Sequence, residues 1–378
     1  MRILVANWQD RRNPHAGGAE IHLFELFSRI ARRGHEVRLV CSGFAGAPSV
    51  ETVDGIEVHR HGGRHSFALL AWRAIAAASR NFAPDVVVDD INKLPLFTPL
   101  LTRRPVYAVV PHLFGATAFE EVSWPLAATV YLAERAIPRV YRGAWFHAIS
   151  DSTRDDLVAR GIPRDRIAVV YPGVDTGRFA PDPATPRSNP PRFVYIGRLK
   201  RYKGVEFLIQ ALAIARRERP DLSIDIAGTG DDRARLEAVA RSHGVSDAVR
   251  FLGYVDEPTR LKLLRESVAN VFPSPKEGWG ITVMEAAACG TPSLASNSPG
   301  LRDSVRNGQT GILVPHGDAG QLALEMLRLA ADPALAERLG RAARTWAEQL
   351  TWDGAAEVVG RHLAELAAGT LSFNSPGN

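Results

Sequence analysis

RFVYIGRLKRYKGVEFLIQALAIARRERPDLSIDIAGTG, residues 192–230, is the stretch that decides the fold. Phe193 to Ile196 is an apolar run closed by Gly197, and Leu222 to Ala227 is a second β-rich run closed by Gly228. Residues 204–218 between them carry a helical pattern. A strand, a helix and a strand in that order form a βαβ unit, whose parallel strands are covered on both faces. The alternation continues downstream: helix 231–243, strand 249–252, helix 257–266, strand 268–272, helix 281–289 and strand 292–295. A short helix near 300–306, a strand at 311–314 and helices at 318–331, 333–349 and 353–369 complete it, and the tail 370–378 reads as frayed.

Upstream, Pro172, Pro181, Pro183, Pro186, Pro190 and Pro191 mark residues 176–191 as a linker. Before it the same grammar predicts strands at 3–7, 36–41, 56–60, 85–89, 105–110, 144–149 and 166–170, with helices at 19–33, 66–82, 124–142 and 152–161. Helix 19–33 shows Ile21, Phe24, Phe27 and Ile30 as an apolar stripe and ends at Gly34. The expected fold is α/β, with two doubly wound Rossmann-like domains, 1–175 and 192–352, facing across a cleft. Residues 353–378 then form a closing helix and tail. Ligands of such sheets bind at the carboxyl ends of the strands, so the strand-to-helix loops are where chemistry is sought.

Composition excludes several classes. The chain has 378 residues and two cysteines, Cys41 and Cys289, too few for a disulfide framework or a four-cysteine zinc site. The net charge of +5 is spread evenly: 21 Lys+Arg against 18 Asp+Glu in 1–175, and 25 against 23 in 176–378. A nucleic-acid partner is therefore not expected. MRILVAN is read without a secretory leader, because Asn7 ends the apolar run, and no apolar stretch is long enough to span a bilayer. A cytoplasmic protein is expected.

The loops carry the chemical signals. Gly17-Gly18-Ala19-Glu20 opens the first long helix, where bare amides and the helix dipole favour an anion. No G-x-G-x-x-G is present there, which argues against a dinucleotide cofactor. Arg198 and Lys203, after the strand at 192–197, are placed to clamp a diphosphate. Gly228-Thr229-Gly230 allows close backbone approach, and Asp231 and Asp232 after it read as helix caps rather than metal ligands. PSPKEGWGITVMEAAACGTP, residues 273–292, is the densest segment. It offers Glu277, the backbone amides of Gly278, Trp279, Gly280 and Ile281, and Glu285 one helical turn further. His112 follows an apolar strand and Pro111, which puts it at the cleft. His59, His61 and His65 around Gly62-Gly63 admit a metal, but a loop past a strand explains them equally, as it does Asp89-Asp90. His147 reads as a hydrogen-bonded core residue.

Taken together, these motifs resemble the retaining, nucleotide-sugar-dependent glycosyltransferases of family 4, which have the GT-B fold. The resemblance rests on Gly17 to Glu20, Ala148 to Thr153, Pro172 to Asp175, Gly197-Arg198, Lys203-Gly204, Gly228 to Gly230, Phe251 to Gly253 and Glu277-x₇-Glu285. It implies that 1–175 is the acceptor side and 192–352 the nucleotide-sugar side, with the final helix crossing back to the first. It also implies roles. Arg198 and Lys203 neutralise the donor diphosphate in place of a metal. Gly17, Gly18 and Gly228 approach the donor by backbone. Glu277 and the amides of 278–281 hold the sugar, Glu285 the ribose, and Tyr254 and Val255 lie near the base. His112 stands at the anomeric carbon. The implied reaction moves a hexose-type sugar to an acceptor hydroxyl by a front-face course. The donor is a UDP-sugar in preference to a GDP-sugar, and no cofactor is needed. An epimerase of the same fold and a non-catalytic nucleotide-sugar binder are the alternatives. Residues 297–303, NSPGLRD, depart from the family's usual Gly-Gly-Xaa-Pro-Glu.

The acceptor is a glycan, a lipid-linked molecule or a small molecule. Helix 66–82 carries Leu69, Trp72, Ile75 and Ala76 together with Arg73 and Arg80, and helix 124–142 carries Arg135, Arg139 and Arg142. The simpler expectation is two core helices with solvated arginines. Peripheral contact with anionic lipid at the inner membrane face is the alternative.

Overall fold

The computed structural model describes residues 1–63, 66–121 and 123–373, except the side chains of residues 116, 120 and 121. It divides into two units, Met1–Pro172 with the chain from Trp352, and Gly173–Thr351.

The first unit is built on an eight-stranded sheet ordered β3-β4-β2-β1-β5-β6-β7-β8. The strands are β1 (Arg2–Ala6), β2 (Glu36–Cys41), β3 (Val50–Val53), β4 (Ile56–Arg60), β5 (Val86–Asp90), β6 (Val106–Val110), β7 (Trp145–Ala148) and β8 (Ile167–Val169). All pair in parallel except β3, which lies antiparallel on β4. β3 escapes the alternation rule, although its turn is written in the sequence. Asp54 and Gly55 adopt φ of 50° and 85°, the left-handed pair that a two-residue hairpin needs.

One face of this sheet packs against helices Gly18–Arg32 and Trp352–Ala368. The buried side of Gly18–Arg32 is Leu23, Phe24, Leu26, Phe27 and Ile30, while Ile21 is exposed. Each step of three residues turns a helix by about 300°, so nine residues carry Ile21 half a turn away from Ile30. Helix Trp352–Ala368 is held by Arg29 Nε donating to Asp353 at 3.1 Å and by Tyr107 Oη against His362 Nδ1 at 3.0 Å. The tail does not fray at once, because Leu371 is buried and Phe373 meets Trp145 edge-on at 4.8 Å. Residues 374–378 lie outside the described residues.

The opposite face carries helices Phe67–Asn81 and Trp124–Val140. In the first of these the buried residues are Phe67, Ala71, Ala74 and Ile75. Leu69 and Trp72, expected on the apolar face, are 82% and 47% exposed.

The second unit has a six-stranded parallel sheet ordered β11-β10-β9-β12-β13-β14. Its strands are β9 (Arg192–Ile196), β10 (Ser223–Ala227), β11 (Val249–Gly253), β12 (Asn270–Phe272), β13 (Ser293–Ser296) and β14 (Gly311–Val314). Residues 176–191 belong to this unit rather than hanging between two. Arg187 donates to Ser267 O at 2.6 Å, Thr291 Oγ1 at 2.6 Å and Gly290 O at 2.5 Å, fixing that segment to the sheet's flank. Among the described residues no helix is long and apolar enough to cross a membrane.

Candidate active site

In the second unit the strand order turns between β9 and β12. β9 continues to β10 on one side, while β12 lies on its other side. The loops leaving these two strands diverge at a switch point, where a doubly wound sheet opens a crevice at its carboxyl edge. The loop after β9 ends in Lys203 and the loop after β12 carries Glu277. Lys203 Nζ donates to Glu277 Oε1 at 2.6 Å. Both side chains are largely shielded, 11% and 15% exposed. Burial opposes the Lys203 charge, but Glu277 and Tyr202 outweigh it and hold the ammonium above its ordinary range. The sequence gives these residues separate partners, and the structure brings them together. One contact leaves the ammonium two donors and the carboxylate its other oxygen.

Glycines let the loops come this close. Gly228 sits at φ 138°, and a Cβ there would meet Gly197 O at 1.8 Å. A Cβ on Gly300 would meet Glu277 O at 2.1 Å, and Glu277 N donates to Pro299 O at 3.1 Å. The NSPGLRD segment therefore braces the Glu277 loop directly. Gly204 and Gly280, both left-handed, begin helices Val205–Ala215 and Ile281–Ala288. Two helix N-termini thus open at this edge, which favours an anion.

Arg198 is exposed and makes no ion pair among the described residues. Trp279, expected among the donor-binding residues, is 2% exposed, its indole packed into the core rather than offered to a ligand. Tyr254 is 84% exposed and Val255 half-buried, both just past β11. Asp231 and Asp232 do not cap as expected: Asp231 pairs with Lys200 at 2.7 Å, and Asp232, at the N-cap position of helix Arg233–Ser242, turns its side chain to Arg235 at 2.6 Å.

Glu285 is buried on helix Ile281–Ala288 and pairs with Arg260 of helix Glu257–Glu266. Burial pushes its carboxyl up to about 7, against the pull of Arg260 and Arg178. Sequence reading missed Arg260, which lies 25 positions from Glu285 with no motif joining them.

At the carboxyl edge of the first unit, Gly17 caps helix Gly18–Arg32, and Glu20 accepts from Gly17 N at 2.7 Å. His112 follows β6 half-buried, edge-on to Phe114 at 4.9 Å. Thr153 Oγ1 donates to Pro111 O at 2.9 Å and so ties the β7 loop to the His112 loop. Asp89 accepts from Tyr141 Oη at 2.5 Å and from Thr98 N at 3.2 Å. Asp90 beside it is buried, and its carboxyl is pushed well up by burial, Glu20 and Asp89. His59 meets Glu57 at 2.6 Å, His61 follows it, and His65 lies outside the described residues. His147 is a core residue bonded to Val170 O at 3.0 Å. Among the described residues no group of three His, Cys, Asp or Glu could hold a metal ion.

With that geometry in view, comparison with known proteins is decisive. Residues 16–178 match the family described as Glycosyltransferase Family 4, and residues 179–346 match Glycosyl transferases group 1. The chain is 31% identical over 385 residues to glycogen synthase of Mycobacterium tuberculosis, covering 93% of this chain and 91% of that protein. This chain belongs to glycosyltransferase family 4. It is a glycosyltransferase of GT-B type. A D-inositol 3-phosphate glycosyltransferase of Streptomyces bingchenggensis is 30% identical, with 95% of this chain and 87% of that one covered. Sucrose-phosphate synthase of Thermosynechococcus elongatus has the same fold, with a TM-score of 0.83 at 22% identity over 97% of this chain and 99% of that chain.

Proposed function

We propose that the family 4 chain transfers a hexose-type sugar from a nucleoside diphosphate sugar to an acceptor hydroxyl, with retention and without a metal ion. The observation that carries this reading is the Lys203–Glu277 pair, 2.6 Å apart at the switch point and flanked by two helix N-termini. A cation and a carboxylate side by side suit a substrate with a diphosphate joined to a polyol. Lys203 and Arg198 take the diphosphate, Glu277 and the amides of 278–281 take the sugar hydroxyls, and Glu285 takes the ribose. A UDP-sugar is the first donor to test, ahead of a GDP-sugar.

In this reaction the bond from the anomeric carbon to the diphosphate oxygen breaks, and the acceptor oxygen bonds to that carbon on the same face. The acceptor's proton passes to the departing diphosphate. Charge grows on the diphosphate as the bond opens, and preorganised cations and amide dipoles stabilise it without rearranging. The relatives bear names with different acceptors, so the acceptor is left to assay.

Thermal shift against UDP, GDP, ADP and their sugars identifies the donor. Incubation with that donor and candidate acceptors, followed by NMR of the anomeric proton, reads the outcome. Transfer with unchanged anomeric configuration in EDTA is expected. Inversion, or an absolute need for Mn²⁺ or Mg²⁺, would overturn the corresponding part. An epimerised donor in the absence of acceptor would replace the transferase with an isomerase.

A further inference from the structure

Three pieces of the first unit lie side by side over one sheet face. Helix Phe67–Asn81 joins the short turn Thr98–Leu100 through Ser79 Oγ and Thr102 Oγ1, 2.7 Å apart. That turn joins the end of helix Trp124–Val140 through Phe97 N, which donates to Tyr141 Oη at 2.9 Å. The inner side of this layer is the core face already described.

Its outer side is unusual. Leu69, Trp72, Leu100, Trp124, Leu126 and Leu132 are 82%, 47%, 61%, 73%, 47% and 65% exposed. Large apolar side chains concentrated on one layer of a soluble-type fold mark an interaction surface. Arg73, Arg80, Arg103, Arg104, Arg135 and Arg139 stand exposed among them. None of these six guanidinium groups forms an ion pair among the described residues.

Among the described residues, acids do not balance them. Helix Phe67–Asn81 contains none. Glu134 is buried, accepting from Phe114 N and Gly115 N at 2.6 and 2.8 Å. Asp89 and Asp90 are buried as well, and Asp85 is tied to Arg2 N at the other end of the sheet at 2.7 Å. Only Glu120 and Glu121 complete the acids of this region.

A protein partner would have to match exposed indoles and leucines while supplying an acid for each arginine. A bilayer with anionic headgroups does both at once. Apolar side chains enter the headgroup boundary, and each arginine rests on phosphate. We infer that the layer formed by helices Phe67–Asn81 and Trp124–Val140 docks this chain on an anionic lipid surface. The inference goes beyond the transferase reading and does not depend on it.

The test is co-sedimentation of the full chain with vesicles of phosphatidylcholine alone and of phosphatidylcholine mixed equally with phosphatidylglycerol. Binding to the mixed vesicles only, reversed by salt, is expected. Arg135→Glu/Arg139→Glu should weaken it at least roughly tenfold, since each cation near such a surface counts for about a factor of five. Leu69→Glu/Trp124→Glu should weaken it by a similar factor. All four side chains are solvent-facing, so the variants should keep the wild-type circular dichroism and nucleotide thermal shift. Equal binding to both vesicle types, or none to either, overturns the proposal. A dimer in sedimentation velocity that Leu132→Glu dissociates, with no vesicle binding, assigns the face to a second copy and overturns it too.

Discussion

In the second unit, the loops after β9 and β12 meet through a lysine and a glutamate beside two helix N-termini. In the first unit the carboxyl edge instead buries Glu20, Asp89 and Asp90 and offers a half-buried His112. Both units repeat the same strand–helix order. The sheets supply position only, while a few loops set the charge presented at each carboxyl edge.

The largest expected effect tests the tight loops of the second unit. Gly228→Ala forces a Cβ to 1.8 Å from Gly197 O at a φ of 138°. Clash and strain together should cost about 4 kcal/mol or more. Gly34→Ala in the first unit, at φ 89° with open space around it, should cost only about 1 kcal/mol. Denaturant unfolding of both variants measures the contrast, and equal costs would remove it.

Next comes chemistry. Glu277→Ala should lower kcat about 100-fold, near 3 kcal/mol, because its proposed contact is with the reacting sugar. Nucleoside diphosphate affinity should hold or rise, since Lys203 loses its internal partner. Lost affinity with preserved kcat would exchange the two roles.

The units should also fail at opposite ends of the pH scale. Burial pulls His147 and His362 down to about 4 and, with His147 nearby, His22 well below 6.5. These three rings, with Tyr107 and Trp352, fill the core beneath helix Trp352–Ala368. Neutral when folded, they favour the fold fully above pH 6.5, and this stability is lost as pH falls toward 4, by about 2 to 3 kcal/mol each for His147 and His362 and in the same direction for His22. Glu285 has the reverse sign. Its carboxyl is raised to about 7, so its contribution is present at low pH and lost as pH rises through about 7. Melting curves should show His362→Gln blunting acid sensitivity and Glu285→Gln raising stability near pH 8. The same direction in both variants would contradict the assignment.

Smallest is Arg260→Ala. Glu285 loses its cation, and nucleotide affinity at pH 8 should fall only a few-fold, about 1 kcal/mol. A hundredfold loss would move Arg260 into direct contact with the nucleotide.

Much of this fold is legible in the sequence. Apolar runs alternating with helical stretches placed thirteen of the fourteen strands, because a buried parallel strand needs a continuous apolar segment. β3 escaped because an edge strand on one hairpin needs no such run, although Asp54-Gly55 marked it. Gly204 and Gly280 were visible because helix starts beside a ligand loop favour left-handed glycine. Three features were not legible. Ile21 and Leu69 look like core residues by spacing and are not, because a three-residue step drifts around the helix. Glu285 meets Arg260 across two helices that only tertiary packing makes neighbours. Lys203 and Glu277 are 74 positions apart, and only the strand order puts their loops together.

Calorimetric titration of UDP and GDP into the wild-type chain, Arg198→Ala and Lys203→Ala, all in EDTA, tests the metal-free diphosphate clamp most directly. One of the two nucleotides should bind the wild type without metal. Each substitution removes a charge-assisted bond and should weaken that binding by roughly 10- to 100-fold. Unchanged affinity in both variants, or wild-type binding that disappears with EDTA, would contradict it.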